Sequence, residues 1–194
     1  MDSNVDLRIS RTHKMIKAAF FELMETIGFD KITVQDLTKK AMVSRTTFYL
    51  HYKDKYDLLD QIENEILEGF QSMTGDLPLD EMVTKGLSDK KPFSLLLGIY
   101  EYVQENQQFF KLIMGENGDP SFYYKLSETM KIIAHKSIAA DRLKIPEHYA
   151  IAFIIGVQTS VINEWLKTDM QETAQEIVAM ITQIMHDVPK NIFS

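Results

Sequence analysis

The sequence predicts an all-α fold of about nine helices, a small helix-turn-helix domain followed by a larger helical bundle. Three observations carry that reading. Apolar residues recur at i, i+3, i+4 and i+7 along most of the chain, the spacing that lines one face of a helix. Gly28, Gly115, Gly118, Pro120, Pro146 and Pro189 fall at the ends of those stretches, where helices start and stop. No period-two segment of strand length appears, nor any internal repeat or low-complexity run.

The first helix is expected at about residues 10–27. Ile16, Ala19, Phe20, Leu23 and Ile27 form its apolar stripe, with Arg11, Lys14 and Lys17 opposite. Gly28 supplies a left-handed helix stop. A short helix follows, capped by Thr33 with Asp36 near its positive end, and with Val34, Leu37 and Ala41 facing inward. Met42, Val43 and Ser44 break the chain. Ser44 then caps a third helix from Arg45 to about His51, anchored by Phe48 with Tyr52 one turn on. Asp54 caps a fourth, from Lys55 to about Phe70. Residues 71–92 hold two Gly, two Pro and many polar residues, and read as a connector. Further helices are expected at roughly 93–105, 107–114, 119–142, 146–167 and 171–187. The domains are then 8–68, with the helix-turn-helix at 34–52, and 93–194, joined by 71–92.

Composition narrows the function. Hydrophobic residues make up 45% and charged residues 25% of the 194, ordinary for a globular protein. No stretch approaches the roughly 18 consecutive apolar residues of a membrane span, and the N-terminal residues MDSNVDLR lack the apolar core of a secretory signal, so the expectation is a cytoplasmic protein without a membrane partner. With no cysteine there is no disulfide, thiol nucleophile or Cys-ligated zinc. No Gly-rich phosphate loop, nucleophile elbow or His-Glu-x-x-His occurs, and His13, His51, His135, His148 and His186 show no helical pairing. Asp80 and Glu81 fall in the connector. Neither an enzyme nor a metal or cofactor is expected. The net charge is −7, yet Arg8 to Asp57 holds ten Lys/Arg against six Asp/Glu, and the acidity lies beyond. A basic head on an acidic body suits a polyanion partner.

Two short helices across a three-residue break form a unit whose second helix can enter the major groove of double-stranded DNA. With Leu37, Ala41, Val43 and Phe48 inward, Arg45, Thr46, Thr47, Tyr49, Leu50 and His51 are left facing out. Arg45 suits guanine O6/N7, Thr46 or Thr47 a thymine methyl or a phosphate, and Leu50 an apolar base contact. Tyr49, His51, Lys53 and the amides around Lys55 suit phosphate oxygens, as do Thr33 and Ser44 at helix starts.

Residues 8–68 resemble the DNA-binding domain of the TetR (tetracycline-repressor-like) family of bacterial regulators. The resemblance rests on Ile32, Thr33, Val34, Asp36, Leu37, Ala41, Val43, Ser44, Thr47, Phe48, Tyr49, His51, Tyr52, Lys55 and Leu58, in order and at the family's spacing. Two positions depart from it: Met42 stands where many members have Gly, and Leu50 where many have a polar residue.

The resemblance implies a homodimer on a palindromic operator, repression relieved by a small-molecule effector, and a divergent helical C-terminal domain that dimerises through its last two long helices. On those helices the candidate interface residues are Ile155, Ile162, Ala174, Ile177, Val178, Ile181, Ile184 and Met185. Candidates for the effector pocket are Tyr100, Phe109, Phe110, Tyr123, Tyr124, Met130, His135, Phe153 and Trp165, since aromatics with Met suit an adaptable apolar cavity. Residues 101–130, with Asn106, Phe109, Phe110 and Gly115, also resemble a subgroup of activators of dihydroxyacetone kinase genes, which implies control by a partner protein as the alternative.

Overall fold

A computed structural model describes residues 3–74, 93–115, 118–137 and 143–185. Nine α-helices occur among them: α1 Ser3–Ile27, α2 Val34–Lys40, α3 Arg45–Tyr49, α4 Lys55–Thr74, α5 Phe93–Glu105, α6 Gln107–Ile113, α7 Pro120–Ser137, α8 Glu147–Lys167 and α9 Ala174–Met185. The described residues contain no strand, so the all-α expectation holds. Several ends differ from it. The fourth helix runs on to Thr74 because no breaker precedes Gly75 and the Ser72 hydroxyl bonds back to the Gly69 carbonyl at 2.8 Å. The expected connector thus begins as helix, and its residues 75–92 lie outside the described ones. The last helix starts late because Thr173 and Glu176 cap it reciprocally, at 2.8 and 3.2 Å.

The chain divides into two compact units. Met1–Ile66 with Leu112–Pro120 forms the first, and Leu67–Lys111 with Ser121–Ser194 the second. In the first, α1 packs on α2 and α2 on α3. Ile16, Phe20, Leu37, Phe48, Leu58 and Ile62 are sealed from solvent at the centre of this unit. Gly28 ends α1 at φ 76°, ψ 155°. That is a glycine-only region rather than the expected left-handed helical stop. It turns the chain into the short 3₁₀ turn Phe29–Lys31.

In the second unit α9 packs on α5. Its core is aromatic: Phe109 meets Phe122 edge-on at 5.0 Å, Phe70 meets Phe110 at 6.1 Å, and Tyr100 lies 5.6 Å from Trp165. The Trp165 indole N–H donates to the Glu172 carbonyl at 2.9 Å, so its burial strands no donor. Among the described helices, α8 alone has the length and apolarity to suit a bilayer. Six of its residues, Ala150, Ile151, Ile155, Thr159, Ile162 and Trp165, are instead buried in this unit.

Candidate nucleic-acid interface

The first unit positions α3 by two helix caps. Thr33 and Asp36 form a capping box on α2: the Thr33 hydroxyl oxygen accepts from the Asp36 amide at 3.2 Å, and the Asp36 carboxylate accepts from the Thr33 amide and hydroxyl at 3.1 and 2.6 Å. Those bonds from the Thr33 side chain and backbone hold the Asp36 pKa below the usual carboxylate range. Ser44 caps α3, its Oγ accepting from the Thr47 amide at 3.0 Å and lying 2.8 Å from the Thr47 hydroxyl. Between the caps Met42 sits at φ 53°, in the left-handed region. Its amide and that of Val43 close the end of α2 onto the Lys39 and Thr38 carbonyls.

Around that frame the residues expected to face DNA sort into two groups. Arg45, Thr46, Tyr49 and Leu50 are exposed on one side of α3, with Lys53 exposed just beyond. Leu50 leaves 76% of its surface in solvent, next in the chain to the exposed Tyr49. No ion pair among the described residues holds Arg45 or Lys53, whereas Lys17 pairs with Glu65 and Lys40 with Glu22. The second group is structural. The hydroxyls of Thr33, Ser44 and Thr47 serve the caps. His51 is half-buried with its ring 4.5 Å from that of His13.

Lys55 differs most from its expected role. Its ammonium donates to the Phe29 and Asp30 carbonyls, both at 2.9 Å, and stands over the Phe29 ring at 4.7 Å. It therefore ties the turn after α1 to the start of α4 instead of reaching outward. The nearby amides are taken too. Asp54 accepts from the Tyr56 and Asp57 amides, and Asp57 from the Lys53 amide at 2.8 Å, so two carboxylates occupy this helix start where a phosphate was expected. The bond from the Lys53 amide depresses the Asp57 pKa. Sequence reasoning passed over Gln35, which is exposed on α2 and accepts from the Arg45 guanidinium at 2.9 Å.

In the second unit the expected pocket residues do not share one environment. Tyr100, Phe109, Phe110 and Trp165 are core, and Met130 packs against Ala134, Ala150 and Ile151. Tyr123, Tyr124, His135 and Phe153 are exposed. His135 pairs with Glu147 at 2.9 Å. The Tyr100 hydroxyl donates to Gln158 at 2.9 Å, and burial raises its pKa, so the phenol stays protonated. The Tyr123 hydroxyl lies 3.1 Å from the buried Thr159 hydroxyl, which gives its own proton to the Ile155 carbonyl; Tyr123 is the donor.

Of the expected interface residues, Ile155, Ile162, Ala174, Ile177, Val178 and Ile181 are spent on this unit's own core. Ile184 is 78% exposed, and the side chain of Met185 lies outside those described. Among the described residues, the large apolar side chains that α8 and α9 leave in solvent are Tyr149, Phe153, Met180 and the expected Ile184.

Comparison with known proteins matches both parts of the chain. The profile of bacterial regulatory proteins of the tetR family covers residues 16–62, and that of a transcriptional regulator C-terminal region covers 90–187. YxbF of Bacillus subtilis (strain 168), an uncharacterized HTH-type transcriptional regulator, is 22% identical over 170 residues, 87% of this chain and 44% of that protein. DhaS of Lactococcus lactis subsp. lactis (strain IL1403), the HTH-type dhaKLM operon transcriptional activator, is 29% identical over 102 residues, 53% of this chain and 48% of that protein. The chain thus spans less than half the length of these curated relatives in each match. Solved structures share the fold: NalD, the secondary repressor of the MexAB-OprM multidrug efflux pump in Pseudomonas aeruginosa, superposes with TM-score 0.72 at 14% identity, covering 95% of this chain and 97% of that one. The dihydroxyacetone kinase operon activator DhaS superposes with TM-score 0.64 at 18% identity, covering 94% and 98%. With one profile on the helix-turn-helix and the other on the bundle behind it, the chain belongs to the TetR family of bacterial transcriptional regulators.

Proposed function

We propose that this regulator binds a palindromic double-stranded operator as a homodimer in the cytoplasm and represses transcription until a small-molecule effector releases it. The observation that carries the reading is the exposed side of α3, where Arg45, Thr46, Tyr49 and Leu50 stand free of the unit's core with Lys53 beside them. Such a set combines a guanine reader, two apolar base contacts and two phosphate contacts. A helix-turn-helix reads two half-sites only when paired, and Tyr149 and Phe153 on α8, with Met180 and Ile184 on α9, supply unpartnered apolar surface for that pairing. Tyr100, bonded to Gln158 and 5.6 Å from Trp165, supplies a polar couple beside an aromatic ring, chemistry suited to orienting an apolar effector with a polar group.

Selection of bound sites from random DNA, followed by titration of the best site, tests it. The expected result is an inverted repeat bound with steep salt dependence. Failure to enrich any sequence would sink the reading. A second reading, an activator controlled by a partner protein, is favoured by the 29% identity to the transcriptional activator DhaS. Co-purification with another protein, with no metabolite that releases DNA, would select it.

A further inference from the structure

We propose that Gln35 and Arg45 act as one reading unit, in which Gln35 fixes the guanidinium and the pair selects guanine in each half-site. The proposal rests on the reading that α3 enters the major groove. Arg45 opens α3 and Gln35 is the second residue of α2, ten positions earlier, so only the packing of α2 on α3 brings them together. A free arginine loses rotamer entropy when a base fixes it. The 2.9 Å bond from Nη2 to Gln35 Oε1 removes part of that freedom beforehand.

The identity of the partner matters. Asp36, which follows Gln35 in the chain, is held by the Thr33 amide and hydroxyl. Arg45 therefore rests on a neutral amide and keeps its full charge for DNA. Gln35 is held in turn by its helix, since its carbonyl accepts from the Thr38 hydroxyl at 3.1 Å and the capping box fixes the turn it occupies.

With Oε1 engaged, the pair presents donors: the remaining guanidinium N–H groups and the Gln35 amide NH₂. Guanine is the base whose major-groove edge shows two acceptors, O6 and N7. Adenine and cytosine each present a donor there, which meets the donors of the pair, and the bond from Arg45 turns Gln35 Oε1 toward the guanidinium.

The test is selection from random DNA with the wild-type full chain and with Gln35→Ala, Arg45→Ala and the double variant, each first checked for unchanged thermal unfolding. The wild type is expected to select guanine at one position per half-site. Arg45→Ala should lose that preference. Gln35→Ala should weaken it about tenfold at the same position and leave the other positions intact. The double variant should match Arg45→Ala, because the two residues work through one contact. Undiminished guanine preference in Gln35→Ala, a change at a different position, or additive losses would overturn the pairing alone. A wild type that enriches no site would overturn the operator reading and the pairing with it.

Discussion

The Nδ1 of His13 lies 2.6 Å from the phenolic oxygen of Tyr52, tying α1 to the residue just past the third helix. Burial pushes the Tyr52 pKa up to about 12, with Glu65 and Asp57 adding to it, so the phenol keeps a proton that it can donate to the neutral imidazole. Burial also lowers the His13 pKa, reinforced by His51 and opposed by Glu65. Folded protein thus binds the His13 proton less readily than the unfolded chain. Stability should be full above pH of about 6.5, fall as the pH drops below that, and level off beneath the folded pKa. Tyr52→Phe is expected to cost about 1 kcal/mol in denaturant unfolding. His13→Gln keeps an acceptor that does not titrate, and should flatten the dependence. Equal slopes in wild type and His13→Gln would assign it to other groups.

Met42 bears left-handed strain while fully exposed at the turn, at φ 53° with 84% of its surface in solvent. Met42→Gly removes the strain and forfeits little contact. It is expected to stabilise the first unit by about 1 kcal/mol, read as a raised denaturant midpoint, although Gly also loses more backbone entropy on folding. A lowered midpoint would show that the methionine side chain contributes contacts that outweigh the strain.

Helix propensity alone predicts that Gly69→Ala in the middle of α4 stabilises by about 1 kcal/mol. The structure predicts the opposite sign. A Cβ on Gly69 would overlap the Tyr102 hydroxyl and the ring carbon that bears it. Tyr102 also packs edge-on against Phe70 at 5.0 Å, so moving aside disturbs that contact. A loss of about 1–3 kcal/mol in thermal or denaturant unfolding is expected, with partial recovery in Gly69→Ala/Tyr102→Leu.

Lys53 and Lys55 are two residues apart but should respond differently. Lys53 is exposed, and Lys53→Ala should lower the salt slope of operator binding by about one without altering stability. The Lys55 ammonium is bound to two carbonyls, so Lys55→Met should lower thermal stability and leave the salt slope unchanged. Salt titrations of both variants with melting curves separate the two roles, and equal slope changes would contradict the division.

Phe153 tests the dimer. It leaves 42% of its surface in solvent on the same face of α8 as Tyr149. Phe153→Asp is expected to shift sedimentation toward monomer and weaken operator binding, while the far-ultraviolet spectrum stays helical. A variant that remains dimeric would move the interface elsewhere.

Much of this protein was legible in its residues, because helices and their caps are local. The stripe through Ile16, Phe20 and Leu23, the cap at Ser44 and the break at Met42 each depend on neighbours within a turn or two. That local order, with the inward Phe48 and the outward Arg45 and Tyr49, determined the all-α class and the helix-turn-helix. Apolar patterning could not say which of two apolar faces a helix turns inward. Ile155, Ile162 and Ile177 read from the sequence as a dimer interface, and only packing assigned them to the core. Packing alone also turned Lys55 onto the Phe29 and Asp30 carbonyls and set Gln35 beneath Arg45. Those contacts join residues ten to twenty-six positions apart, so no local rule of period or propensity contains them. Tertiary structure decided them because a long polar side chain takes the partner that the fold brings within reach.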